Sequence, residues 1–231
     1  MVQLDAVIDL HTFSIVARDA RTGDLGVAVA AARPDVGSLV PWASRHGAIA
    51  TQGRVNTDLA RRALALLEHG IPVDTALRTL LEDDPDRDIR QVHGLDTRGR
   101  GVCHTGAKCA AWCGHERGLD FSVAGNMLAG PQVIGAMSGA FRRTATLALP
   151  ARLLTVLEAG QDAGGDTRGK QSAALLVASR KPRMEHNLRV DEHGDPVAEL
   201  PRIHDLVVEH AKTIEQEYGA EGRRLFGAVE L

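Results

Sequence analysis

Several short stretches of this 231-residue chain carry side chains able to do chemistry. In Cys103-His104-Thr105-Gly106, His104 could act as a general acid or base, and Cys103 could be a nucleophile. Adjacent residues on a strand point to opposite faces, so Cys103 and His104 would each need a partner from elsewhere. Asn126 stands between Gly125 and an apolar turn, where its amide could donate to a developing oxyanion. The same residue type also suits the end of a strand before Pro131. In Gly164-Gly165-Asp166-Thr167-Arg168-Gly169, Arg168 could grip a substrate carboxylate bidentately, or simply pair with Asp166 and order the turn. Gln171 and Ser172 follow directly and could line the same place. Gln52, Arg54 and Asn56 follow a strand end, although Asn56 also suits a helix cap. Arg18 sits late in a strand, placed to meet a carboxylate. Thr12 opens that strand, where a β-branched residue is common for structural reasons alone.

No metal or cofactor is expected. Cys109, Cys113 and His115 form a C-x3-C-x-H run without a second ligand pair at the usual spacing. The glycines near Gly164 follow a helix and precede a strand, the reverse of what cradles phosphate. The histidines at 186, 193, 204 and 210 are dispersed.

Charge and composition narrow the classes further. With 27 Lys+Arg against 30 Asp+Glu, the net charge of −3 offers no basic face for nucleic acid. Aromatic residues are 3% of the chain, too few for base-stacking platforms. Three clustered cysteines make a poor disulfide framework and fit a reducing compartment. No apolar run reaches the ~18–20 residues of a membrane span. The first eleven residues lack a basic start and contain Asp5 and Asp9, unlike a secretory signal. The expectation is a cytoplasmic protein acting on a small molecule, with neither nucleic acid nor membrane as partner.

The elements that must position these residues are read from periodicity. Strands are predicted over 12–18 and 25–31 as a hairpin, then over 47–52. Helical spacing of Leu59, Ala63, Leu66 and Leu67 follows, capped by Asn56 or Thr57, and a second helix covers 74–81. A hairpin (91–96 and 101–105) and a strand (121–126) precede helices over about 131–143 and 150–159. Strands over 171–178 and 186–190 come before a C-terminal helix over 195–218. Grouped strands interrupted by helix pairs argue for two stacked antiparallel sheets flanked by helices, a four-layer αββα sandwich of the α+β class. Ala28, Ala30, Ala50, Ala173 and Ala174 would let the sheets approach closely. The apolar stripe Ile203, Leu206, Val207 and Ile214 could join two copies into a homodimer or cover the sheet.

Six motifs in order carry a resemblance: Thr12-Phe13-Ser14-Ile15-Val16-Ala17-Arg18-Asp19, Gly26-Val27-Ala28-Val29-Ala30, Ala50-Thr51-Gln52, His104-Thr105-Gly106, Gly125-Asn126-Met127-Leu128-Ala129-Gly130 and Gly164 to Ala173. Together they resemble the DUF1028 family, an uncharacterised group placed among the N-terminal nucleophile (Ntn) hydrolases, over about residues 12–202. The resemblance implies the αββα layering, and a Thr at the start of the mature chain that attacks an amide carbonyl with its own α-amine as base. The matching residue is Thr12. Many relatives begin Met-Thr-Phe, whereas here eleven residues precede Thr12 and its nitrogen lies in a peptide bond. Residues 1–11 are therefore expected to be an extension or propeptide-like segment, and 12–231 a single domain.

The expected activity is hydrolysis of a linear amide in a small peptide or acylated amino acid. Thr12 would attack, with Asn126 at the oxyanion and His104 as a further catalytic candidate. Arg18, Gln52, Asn56, Asp166, Arg168, Gln171 and Ser172 are the candidates for binding substrate. Two other readings stand beside it: a non-catalytic binding or oligomeric scaffold on the same fold, and a hydrolase built on Cys103.

Overall fold

The structure is a computed structural model and describes residues 9–180 and 184–226; most of the expected 1–11 segment lies outside them. The chain runs β1 (Asp9–Leu10), β2 (Thr12–Arg18), β3 (Leu25–Ala31), α1 (Val36–Leu39), β4 (Pro41–Ser44), β5 (Gly47–Arg54), α2 (Thr57–Glu68) and α3 (Val73–Glu82). It continues β6 (Arg90–Asp96), β7 (Gly101–Thr105), β8 (Gly114–Gly118), β9 (Phe121–Gly125), α4 (Pro131–Arg143), α5 (Leu149–Asp162), β10 (Ser172–Ala178), β11 (Met184–Val190) and α6 (Pro196–Phe226). The last helix is broken at Gly219. No described helix is long and apolar enough to cross a membrane.

Two antiparallel sheets form. One has six strands in the order β11-β10-β3-β2-β9-β8. The other has five, in the order β1-β5-β6-β7 with β4 also on β5. Strand alternation gives each sheet two different faces. Phe13, Ile15 and Ala17 of β2 pack with Met137 and Phe141 of α4 and Leu153 and Leu157 of α5. The intervening Val16 faces the other way and joins Val27, Val29, Ala48, Ala50 and Leu95 between the sheets. Ile49 and Val92 turn from the second sheet toward Leu59, Ala63, Leu77 and Leu80 of α2 and α3. The order is therefore helices, sheet, sheet, helices.

The small residues divide differently from expectation. Ala50 and Ala174 lie between the sheets, but Ala28, Ala30 and Ala173 lie under the helices. The period of two decides this, because Val27, Val29 and Ala31 take the inter-sheet face of β3. Three strands were not expected from the sequence, the two-residue β1 among them. In β4 the residues Pro41-Trp42-Ala43-Ser44 alternate only weakly, and β8 is polar and half-exposed on both faces. All three lie where pairing with a neighbour, rather than propensity, makes the strand. In the C-terminal stripe, Ile203 packs against the core while Leu206 is 56% exposed.

Part of the inter-sheet layer is polar. Ser14 Oγ donates to Gln52 Oε1 at 2.6 Å, and His93 Nε2 is 2.8 Å from Ser14 Oγ. The hydroxyl proton being spent on Gln52, the imidazole must carry its proton on Nε2 and accept at Nδ1 from Ser122 Oγ, 2.8 Å away. Burial first, and the nearby His115 second, hold the His93 imidazole down to about 3. An unfolded histidine takes its proton near ~6.5, so between that pH and about 3 the unfolded chain binds one more proton than the folded one. The contribution of His93 is full above ~6.5 and is lost as pH falls toward 3.

Two outcomes follow for stability. In denaturant melts, the chain should be less stable at pH 4 than at pH 7. His93→Gln should lower stability at pH 7 by roughly 1–3 kcal/mol through its unmatched buried partners, while making the loss toward pH 4 shallower. An undiminished loss in the variant would place the titration elsewhere. Glycine substitutions should also separate by site. A Cβ on Gly106 would stand 2.2 Å from the Asp88 carbonyl oxygen, so Gly106→Ala should destabilise by about 2–4 kcal/mol. Gly135, inside α4, has open space beside it, and Gly135→Ala should stabilise by about 0.5–1 kcal/mol.

Candidate functional site

The site is assembled where β2 begins, β9 ends and the loop before β10 closes over both. Thr12 is fully buried. Its backbone carbonyl accepts from Asn126 N at 3.0 Å, and it lies opposite Ala31 in β3. Among the described residues its hydroxyl has no hydrogen-bond partner. A buried hydroxyl without a partner costs on the order of 1–3 kcal/mol, so the fold retains this group against its own stability.

The preceding peptide carbonyl is held. Arg168 Nη2 donates to the His11 carbonyl oxygen at 3.0 Å. The same guanidinium is aimed by Asp166, which is buried and accepts from Arg168 Nε at 3.1 Å and Nη2 at 2.6 Å. The loop is docked by Thr167, whose N and Oγ1 both donate to the Met127 carbonyl, and by a bridge between Leu128 and Asp166. Met127 takes a left-handed conformation, φ 55°, which turns the chain sharply after Asn126.

Asn126 is fully buried and its carboxamide is committed on both sides. Nδ2 donates to Gln91 Oε1 at 2.8 Å, and Oδ1 accepts from His11 Nδ1 at 2.6 Å. In this arrangement the donor on the carbonyl next to Thr12 is Arg168, while the Asn126 amide bonds Gln91 and His11. Gln91 links the sheets. Its Oε1 also accepts from Gln52 Nε2 at 2.8 Å, and its Nε2 donates to Thr105 Oγ1 and to the carbonyls of Gly114 and Gly125 at 2.9–3.1 Å.

The other expected site residues fall in different places. Gln52 belongs to the buried network, between Ser14 and Gln91. Arg18 is at the far end of β2, about 20 Å from Thr12 at ~3.3 Å per residue, and pairs with Asp120 at 2.8 Å. Asn56 caps α2 through Leu59 N and donates to Asp84, a structural position. Ser172 Oγ ties Val36 N and the Arg33 carbonyl together after β3, two strands or about 10 Å from Thr12. Gln171 bonds Ala31 and His193 through its backbone. His104 points to the outer face of its sheet, in register with Val92, and its Nε2 meets the Arg87 carbonyl at 2.9 Å. Cys103, on the inner face, bonds Ser122, and burial pushes its thiol up to about 11, unsuited to attack at neutral pH. Burial likewise raises Cys109 to about 11 and raises Cys113. Among the described residues no three His, Cys, Asp or Glu side chains could hold a metal ion together.

His11, Ser14, Gln91 and His93 are site or network residues that sequence reasoning did not single out. A signal existed for two of them: Gln91 and His93 alternate with Val92 on one strand, which puts both polar side chains on one face.

The chain resembles a solved structure, the protein SPO2555 from Silicibacter pomeroyi, with 31% identity over 87% of each chain and a TM-score of 0.80. That structure is described as belonging to DUF1028. No curated protein matches the chain. The pattern of DUF1028, a family of unknown function, matches residues 12–200, and so begins at Thr12 itself. The chain belongs to the DUF1028 family.

Proposed function

We propose that this chain is an amide hydrolase of the N-terminal nucleophile type, with Thr12 as the nucleophile once its α-amine is free. One observation carries the reading: a buried, unpartnered Thr12 hydroxyl stands beside a peptide carbonyl that Arg168 already polarises. The family match starting at Thr12 supports it as well.

On this reading the His11–Thr12 bond is hydrolysed first, consuming one water and leaving an α-amine with a pKa near ~7.7–8.0. The amine takes the Thr12 hydroxyl proton while the oxygen bonds to the substrate carbonyl carbon. Arg168 holds the developing oxyanion, as it holds the His11 carbonyl. The C–N bond breaks, the departing amine receives the proton, and an ester on Thr12 remains. A second water, deprotonated by the same amine, releases the acid and restores the hydroxyl. The substrate is a linear amide, in a small peptide or an acylated amino acid.

Intact-mass and N-terminal sequencing of a preparation that turns over an acyl-amino-acid amide should find Thr12 first. Thr12→Ala should abolish turnover, Thr12→Ser should retain part of it, and the wild-type rate should climb between pH 7 and 8 as the amine loses its proton. Arg168→Gln should slow turnover by roughly 10²–10³. Turnover by chains that still carry residues 1–11 would sink the proposal and leave the scaffold reading.

A further inference from the structure

We infer that β1 and His11 stand where the acyl half of the substrate binds, so that the substrate is an extended peptide added as a strand to the edge of β5. The inference rests on the hydrolase reading above and adds the substrate class to it. Three observations carry it. The first concerns the edge of β5. Strand β4 covers it only as far as Ala50, paired with Pro41, and Thr51 N then bonds the Val40 carbonyl. Beyond this the edge is taken by the chain's own start, with Asp9 opposite Arg54 and Leu10 opposite Gly53. An unpaired sheet edge is a general receptor for extended peptide, with main-chain bonds giving affinity.

The second observation is directional. From β1 the chain enters the site and presents the His11 carbonyl to Arg168, one bond from Thr12. A substrate acyl group attacked by Thr12 must place its carbonyl at the same reach of the same hydroxyl, so the residue before the scissile bond follows the path of His11. The third is side-chain recognition. His11 donates from Nδ1 to Asn126 Oδ1 at 2.6 Å, and Asn126 is fixed in that orientation by its bond to Gln91. A buried acceptor held so firmly selects a donor side chain in the residue before the scissile bond, since an apolar one would leave it unpaired. The part of Asn126 is then substrate selection through its acceptor. While β1 is in place, the intact chain blocks its own site.

The test uses the full-length chain and the peptide acetyl-Asp-Leu-His-amide, read by calorimetric titration. The unmodified chain should not bind the peptide. Leu10→Pro combined with His11→Gly removes a strand N–H and empties the Asn126 acceptor of the His11 ring, and should open the edge, giving saturable binding. N-methylation of the Asp and Leu amides, or replacement of the peptide His by Leu, should weaken that binding at least tenfold. His11→Gly alone is the second variant should the double variant not fold, and should also admit the peptide. If neither variant binds it, or if the N-methylated peptide binds as well as the parent, the inference is overturned. Peptide binding is read without turnover, so the two proposals fail separately. Thr12-dependent cleavage of small amides without peptide binding removes only this one. Peptide binding by chains that never cleave an amide removes the hydrolase, and with it the peptide's standing as substrate, while the peptide-binding edge stands.

Discussion

The constraint on which the rest depends is the burial of one carboxamide, that of Gln91, between the two sheets. Its oxygen accepts from Gln52 and Asn126, and its nitrogen donates to Thr105 and to two backbone carbonyls across the gap. A buried amide is tolerated only when its hydrogen-bonding capacity is met, and each unmet bond costs on the order of 1–3 kcal/mol. The five partners come from β5, β7, β8 and the end of β9. Their relative placement is therefore fixed by polar geometry rather than by the interchangeable packing of Val and Ala elsewhere in the layer. Sheet register and sheet-to-sheet distance are set at this point.

From that anchor the site is built outward. Asn126 is oriented by Gln91, His11 by Asn126, and Arg168 by the buried Asp166. At this place the Thr12 hydroxyl is left without a partner among the described residues. A network that satisfies its neighbours and leaves one hydroxyl bare differs from a structural serine or threonine, and the contrast lies within β2 itself. Ser14, two residues on and on the same face, is fully engaged with Gln52 and His93. Uncompensated groups of this kind concentrate where a protein meets its ligand.

The fold was legible because its signals are local and periodic. The strand at 12–18 and the helices over 131–143 and 150–159 follow directly from the spacing of Phe13, Ile15, Val133, Met137, Leu153 and Leu157. What eluded periodicity was made by pairing: β1, two residues long, and β8, polar on both faces, exist because a neighbouring strand offers its edge. The site was legible in composition more than in roles. Thr12, Asn126, Asp166 and Arg168 do converge, with Gln52 one step away through Gln91, but Arg18, Asn56, Ser172 and His104 do not. Strand length carried Arg18 away, and the period of two turned His104 outward. Arg168 was read as a carboxylate clamp or as the partner of Asp166, and in the structure its cation serves Asp166 and a backbone oxygen together. No spacing rule encodes that geometry, because it depends on a loop docking against Met127 from 40 residues away.

The passage of the chain from one sheet to the other at His11 has a thermodynamic side. Two residues of ladder are far fewer than a strand needs to stay attached by itself. Asp9 and Leu10 remain on β5 because the continuous backbone keeps them at a local concentration on the order of millimolar. The crossing is thus a tether, and severing it would turn an intramolecular contact into a meeting of two molecules at ordinary dilution. The fragment would drift away and the broken bond would not be remade. If that single peptide link is cut, at the one point where β1 gives way to β2, it would act as a ratchet between a closed molecule and an open one.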